Sequence, residues 1–298
     1  MATKKRNVIK TNVKNLVEEV NGKKKLGYIL WWTISQNLLI DGEKAQDIFT
    51  KKGFDKKELP LPLEADVAFV RSARKINTRN SDWLIRKVLL NDDKIIYSLV
   101  KETIDKIAED SNYIKEDKIT LLRATKDVTM ENNLDISKEI KSTYQNLVNK
   151  IDNWRFTEFL LRQLKNMNSI QLREMGGIYF VPIINEEKLN LIEEGLNEIS
   201  PESVFYLLPI YDEPKTKNNL QNAFQEDFKK EIETMADELE KRIEADNTRP
   251  GTFQNRLQEY KEFRERAKAY EDLLSFKASD IHKTIDKLEF KVKEALGK

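Results

Sequence analysis

Three groups of residues in this chain have types and spacings that could do chemistry. The first is the adjacent pair Gly176-Gly177 in REMGGIYFVPIINEE, two of only 9 glycines in 298 residues. Glycine-rich loops cradle phosphates when they lie between a strand and a helix N-terminus, where several backbone N–H groups converge on the anion. Here the pair follows a helix-like segment and precedes an apolar run that ends at Pro182, which is the reverse order. Neither GxxxxGKS/T nor GxGxxG occurs. The pair is therefore expected to stop a helix in the left-handed region and turn the chain into a strand.

The second group is acidic. Asp92, Asp93, Glu102, Asp105 and Asp117 fall in a strand-like stretch and could converge as the ligands of a metal-dependent hydrolase, though no spacing sets them apart from the other carboxylates. The third group is basic. Lys4, Lys5 and Arg6 open the chain, and RSARKINTRN concentrates Arg71, Arg74, Lys75 and Arg79. Clusters of this kind contact phosphates locally even when the whole protein is neutral, so nucleic acid is one candidate partner. The competing reading is of solvated charges balanced by the acidic stretch that contains Glu226, Asp227, Glu231, Glu233, Asp237, Glu238 and Glu240.

Composition narrows the remaining chemistry. Lys plus Arg is 52 against 51 for Asp plus Glu, a net charge of +1, so bulk charge draws the chain to neither nucleic acid nor membrane. There is no cysteine, which removes thiol nucleophiles, disulfides and cysteine-ligated metal sites, and one histidine, His282, cannot build a multi-histidine site. No cofactor is expected. The start MATKKRNVIKTNVKNLVEEV carries positive charge without an apolar core and no long apolar run follows, so a cytoplasmic protein without a membrane segment is expected.

Periodicity supplies the elements that must position these groups. Residues 1–26 read as a basic, mobile start, and GYILWWTI as a buried strand or short helix whose Trp31 and Trp32 fill a small core. DGEKAQDIFTKKG reads as a helix from Asp41 to a stop at Gly53 with Ile48 and Phe49 inward. A turn at Pro60 and Pro62 then leads into a helix with Val67, Val70 and Ala73 or Arg74 near one face. DWLIRKVLLND, KIIYSLVKETID and YIKEDKITLLRATKD alternate or run apolar between Asn- and Asp-rich turns, as in an antiparallel meander. From Ser137, an expected N-cap, Ile140, Tyr144, Leu147, Ile151 and Trp154 step by four and three, and the helix is expected to reach Met167.

IYFVPI and VFYLLPI flank a helical face of Leu189, Ile192 and Leu196, a strand-helix-strand unit with both strands buried. After it, Phe224, Phe228, Ile232 and Leu239 belong to one apolar series, and Tyr260, Phe263 and Tyr270 to a second that runs on to Val292 beyond Pro250-Gly251. The expectation is a long antiparallel coiled-coil hairpin whose first arm spans roughly 40 Å. The fold class is thus α+β, divided as 1–26, an α+β domain over 27–135, the long helix and strand-helix-strand unit over 136–212, and the hairpin over 213–298.

The order of short motifs WWTIS, LP, DVAFVRSARK, WLIRKV, LVKETID, LREMGGIYFVP and LLPIYD, from about Tyr28 to about Leu274, resembles an uncharacterised family of bacterial and phage proteins. The most specific part is Arg173 followed by GGIYFVP. The resemblance implies a phage or mobile-element context and brings no catalytic residues. Together these readings point to a non-enzymatic interaction or assembly protein that binds a protein partner or itself, with Phe224, Phe228, Ile232, Leu239, Arg249, Tyr260, Phe263 and Tyr270 as contact candidates. Nucleic-acid binding through the basic clusters is the alternative.

Overall fold

The computed structural model describes residues 19–20, 23–79, 83–105, 110–173, 176–244 and 250–296. In chain order its elements begin with β1 (Glu19–Val20), β2 (Lys23–Thr33), β3 (Leu39–Asp41), α1 (Gly42–Lys51) and α2 (Ala65–Arg79). Next come β4 (Trp83–Leu90), β5 (Lys94–Asp105), β6 (Asp110–Leu122), β7 (Asp127–Met130), α3 (Asp135–Leu147), β8 (Lys150–Asp152) and α4 (Asn153–Asn166). The rest are β9 (Ile170–Gln171), β10 (Tyr179–Pro182), α5 (Glu186–Ile199), β11 (Val204–Tyr211), α6 (Pro214–Glu244), α7 (Pro250–Leu274) and α8 (Ser279–Leu296). The α+β class read from the sequence is the class observed. The chain forms two compact units, one of Met1–Thr33, Gln163–Glu193 and Val204–Lys298, the other of Ile34–Arg162 and Glu194–Ser203. They interleave along the chain, whereas the sequence divides it into consecutive segments.

In the second unit, local chemistry sets α1 as the sequence predicts. The Asp41 carboxylate accepts from the amides of Glu43 (3.0 Å) and Lys44 (3.3 Å), satisfying donors that the first helical turn leaves open. Past its end, Gly53 sits at φ +86°, which glycine adopts without strain. Ile48 and Phe49 point inward, and the Phe49 ring lies 4.7 Å from that of Phe159 and 5.2 Å from that of Phe54. The meander is present as an antiparallel sheet in the order β4-β5-β6-β7. Its first turn is held by Asn91, whose side-chain oxygen accepts from the amides of Asp93 (3.1 Å) and Lys94 (2.9 Å).

The helices of this unit depart from the sequence reading in two places. The buried face of α2 is Ala68, Phe69, Ser72, Ala73 and Ile76; of the expected face Ala73 is buried, while Val67 and Val70 pack half-buried against this core at the flank of Phe69, the side chain large enough to reach Tyr97 and Tyr144. The single helix from Ser137 to Met167 is two helices. α3 ends at Leu147, Asn149 takes φ +59°, and β8 pairs antiparallel with β3 before α4 begins. Asparagine tolerates the left-handed region, so the break carries no glycine or proline to mark it. Ser137 lies inside α3 rather than at its N-cap, which is Leu134.

In the first unit, β10 and β11 both pair antiparallel with β2, one on each side. The two strands joined through α5 are therefore parallel to each other with β2 between them, a split strand-helix-strand arrangement. Gly27 sits where a Cβ would meet the Val181 carbonyl oxygen at 2.1 Å, so only glycine lets β2 and β10 approach this closely. β10 contributes buried Phe180 and Val181 as expected, but β11 lies at the sheet edge and buries only Phe205.

Among the described residues the C-terminal region is three helices, not a two-arm hairpin. α7 stops at Leu274, Ser275 takes φ +57°, and α8 begins at Ser279, so the second apolar series of the sequence is split between α7 and α8. Their apolar faces share a core with Leu26, Ile170 and Phe180 of the sheet. Each aliphatic or aromatic side chain buried there contributes roughly 1.5–3 kcal/mol. No described helix is long and apolar enough to cross a membrane.

Candidate functional site

The groups that could have done chemistry are placed as follows. Gly176, at φ +115°, belongs to the hairpin turn between β9 and β10, where Leu172 N–H donates to Ile178 O (3.0 Å) and the Gln171 side-chain amide donates to Gly176 O (3.2 Å). The expected helix stop falls earlier instead, at Asn168 with φ +55°. The turn links strand to strand, and among the described residues no helix N-terminus adjoins it to complete a phosphate loop.

Asp117 is fully buried and its five acceptor bonds are all spent on its own fold. Oδ1 accepts from the amides of Lys118 (2.8 Å), Glu131 (3.1 Å) and Asn132 (2.8 Å). Oδ2 accepts from the Leu134 amide (3.3 Å) and from Ser137 Oγ (2.6 Å). Burial alone would raise this carboxyl, but the hydrogen bonds from Ser137 and those amides outweigh it and hold it below its ordinary value. Asp92 and Asp93 are exposed, and the side chains of Glu102 and Asp105 lie outside the described residues. Among the described residues no group of three His, Asp or Glu could hold a metal ion.

The basic candidates are only partly brought together. Arg71 forms an ion pair with Asp152, whose other oxygen accepts from the Arg155 amide (2.9 Å) at the start of α4. Arg74 and Lys75 are exposed on α2, the side chain of Arg79 is outside the described residues, and so are Lys4, Lys5 and Arg6. Of the basic candidates, the described surface shows Arg74 and Lys75, and Arg71 serves the fold.

The contact candidates on the C-terminal helices are core residues. Phe224, Phe228, Tyr260, Leu239 and Tyr270 are at most 1% exposed, and Ile232 and Phe263 are almost as deeply buried. Phe228 packs on Phe224, Phe263 and Tyr270 (ring centres 4.0, 4.7 and 6.1 Å apart), and the Tyr270 hydroxyl donates to Asn168 O (2.6 Å). These side chains have no surface to give a partner, and Arg249 lies outside the described residues. On one side of α6 and α7 is a cleft of about 820 Å³ lined by five glutamates, Lys165, Arg256 and Arg266. Arg256 bonds Glu238 and Glu259, and Arg266 pairs with Glu231 while lying 4.2 Å over the Phe228 ring. Burial pushes the Asp227 carboxyl up against the opposing pull of Arg266. The cleft is a seam of internal ion pairs, unlike the mostly apolar pockets that hold small ligands.

A different surface stands out, and the sequence reading missed it. β11 pairs with β2 on one side and with no other described strand. On one face of this edge, Trp31 and Tyr206 stack at 5.0 Å with their planes 12° apart. Val204, Tyr206 and Leu208 pair with Thr33, Trp31 and Ile29, so all share that face, and Trp31 (36%), Val204 (39%), Tyr206 (39%) and Leu208 (50%) are exposed. Neither tryptophan fills a closed core. Trp32 points to the opposite face and stacks on Tyr179 (5.6 Å) and Phe205 (6.4 Å). VFYLLPIY has no charged residue over its eight positions, the one sequence feature that distinguishes this edge from those that proteins protect with lysine.

Pro209 fixes which backbone groups face outward. It pairs with Tyr28 and has no N–H, so this is a pair without direct hydrogen bonds and position 209 faces away from β2. Alternation then turns the N–H and C=O of Phe205 and Leu207 outward as well, while Val204, Tyr206 and Leu208 bond β2. These outward donors and acceptors have no partner among the described strands and lie beside an exposed aromatic face. Edge and face both belong to the β2–β11 side of the sheet.

The chain belongs to a family of unknown function, DUF6744, whose model matches residues 25–298. Among curated proteins and among solved structures nothing matches it.

Proposed function

We propose that this is a non-enzymatic interaction protein that holds a polypeptide partner along the β11 edge and the Trp31–Tyr206 face. The observation that carries the reading is an uncharged edge strand with outward Phe205 and Leu207 backbone groups beside four exposed apolar side chains. Extended chains add to such edges through main-chain hydrogen bonds, and exposed aromatic patches rimmed by polar surface mark docking sites. The buried core role of the C-terminal helices supports assigning them to the scaffold. The motif resemblance to bacterial and phage proteins extends the proposal to a protein of a phage or mobile element acting in the cytoplasm of a bacterial host.

The test is site-specific photocrosslinking in cells, with a photoreactive phenylalanine analogue at Leu208 and, as control, at Lys229 on the exposed side of α6. The reading expects a discrete polypeptide adduct from position 208 and none from 229. Equal adduct patterns at both positions, or none at 208, would refute it. The alternative, nucleic-acid contact, is favoured only by exposed Arg74 and Lys75; it expects binding that falls steeply with salt and weakens in an Arg74→Glu/Lys75→Glu variant.

A further inference from the structure

We infer that the partner of the β11 edge is a second copy of this chain, paired antiparallel about a two-fold axis at Tyr206. This deepens the proposed function and rests on it. The geometry of β11 selects both the register and the occupant. Outward positions are odd-numbered, so two β11 strands can pair only with residue numbers summing to an even value. A sum of 412 sets Phe205 opposite Leu207 of the second copy and Leu207 opposite its Phe205. Both are hydrogen-bonded pairs, and together they form four N–H···O=C bonds. A sum of 414 sets Phe205 opposite Pro209, which cannot donate. A sum of 410 needs Ser203, whose amide already donates to Ser200 O (2.9 Å). The favoured register is therefore bounded by Pro209 at one end and by the Ser203 turn at the other.

In that register the close, non-hydrogen-bonded pairs are Tyr206 with Tyr206 and Val204 with Leu208, twice. All are exposed side chains on the Trp31 face, so the edge is complementary to itself. No charged side chain faces another across the paired residues. With whole-residue areas on the order of 150–250 Å², the exposed fractions of Trp31, Val204, Tyr206 and Leu208 come to roughly 300 Å² per copy. Two copies plus the two strand edges lie near the lower limit of about 1,000 Å² for a specific interface. An interface of this size makes a weak, reversible dimer and not an obligate one.

Sedimentation equilibrium of the full chain, from about 1 to 200 µM, tests this. Wild type is expected to pass from monomer to dimer across that range. Tyr206→Lys and Tyr206→Glu place like charges at the axis, and each alone should stay monomeric. Their equimolar mixture should regain a dimer, because position 206 faces itself. Leu208→Lys should also stay monomeric, and adding Val204→Glu in the same chain should restore association, since 208 faces 204. Far-UV circular dichroism matching wild type confirms that each variant folds. A wild-type chain that remains monomeric throughout, or a dimer that the charged variants leave unchanged, would overturn the inference. A monomeric wild type that still gives a foreign polypeptide adduct from position 208 would overturn the self-pairing alone and leave the interaction reading standing.

Discussion

Asp117→Asn separates a carboxylate that clamps the fold from one that serves chemistry. The substitution keeps the shape of the side chain and removes its charge. The three amides on Oδ1 keep an acceptor, but their bonds lose the assistance of the charge, which roughly doubles such bonds. On the other oxygen an NH₂ group replaces the acceptor, so the Leu134 amide loses its partner in the interior while Ser137 can rotate to accept. Leaving one buried donor unpaired costs about 1–3 kcal/mol, and the weakened bonds bring the expected loss to about 3 kcal/mol at pH 7. The Asp117 pKa is lower in the folded state than in the unfolded chain. Its contribution is therefore complete above the ordinary aspartate value of about 4 and fades as pH falls through the lower folded value. Urea unfolding followed by circular dichroism at pH 7 and at about pH 3 reads both effects. A difference below about 0.5 kcal/mol at neutral pH, or one that does not narrow in acid, would refute the clamp. Unchanged midpoints with added Mg²⁺ or Mn²⁺ are expected for both proteins, since Asp117 has no acceptor position left to offer.

The ion pair of Lys25 with Glu186 (2.8 Å), which Tyr28 joins through its hydroxyl, gives a second test. Glu186→Ala leaves the Lys25 ammonium buried with only Tyr28 for a partner and should cost about 3 kcal/mol at neutral pH. Burial would raise Glu186, but Lys25 and Tyr28 hold it below its ordinary value, so the deficit should shrink as pH falls; a deficit constant from pH 7 to about pH 3 contradicts the assignment. Gly27→Ala forces a Cβ against the Val181 carbonyl and should lower stability by more than about 2 kcal/mol, measured by urea unfolding. A tolerated alanine would mean that β2 and β10 are not this close.

How far the sequence was legible depends on whether the stopping signal lay in residue type. The cap at Asp41, the stop at Gly53 and the side-chain-held turn at Asn91 use residues whose local chemistry favours those conformations, and all three are where the sequence places them. The breaks at Asn149 and Ser275 use non-glycine residues at positive φ inside unbroken apolar periodicity, so the sequence reads as one long helix where two exist. The aromatic series on α6 and α7 has the same spacing whether it meets another chain or its own, and only packing shows it to be internal. The open edge was hidden for the opposite reason. An uncharged apolar run such as VFYLLPIY reads as a buried strand, and edge or centre is decided by pairing partners far away in sequence, which no local pattern records.

Amide hydrogen exchange along β11, resolved residue by residue in dilute protein at about 1 µM, measures the open edge itself. Protection should alternate, with the amides of Tyr206 and Leu208 slowed by their bonds to β2 and those of Phe205 and Leu207 exchanging freely until concentration rises. Equal, strong protection of all four amides in dilute protein would show that the outer edge is already covered within the chain and would contradict the account.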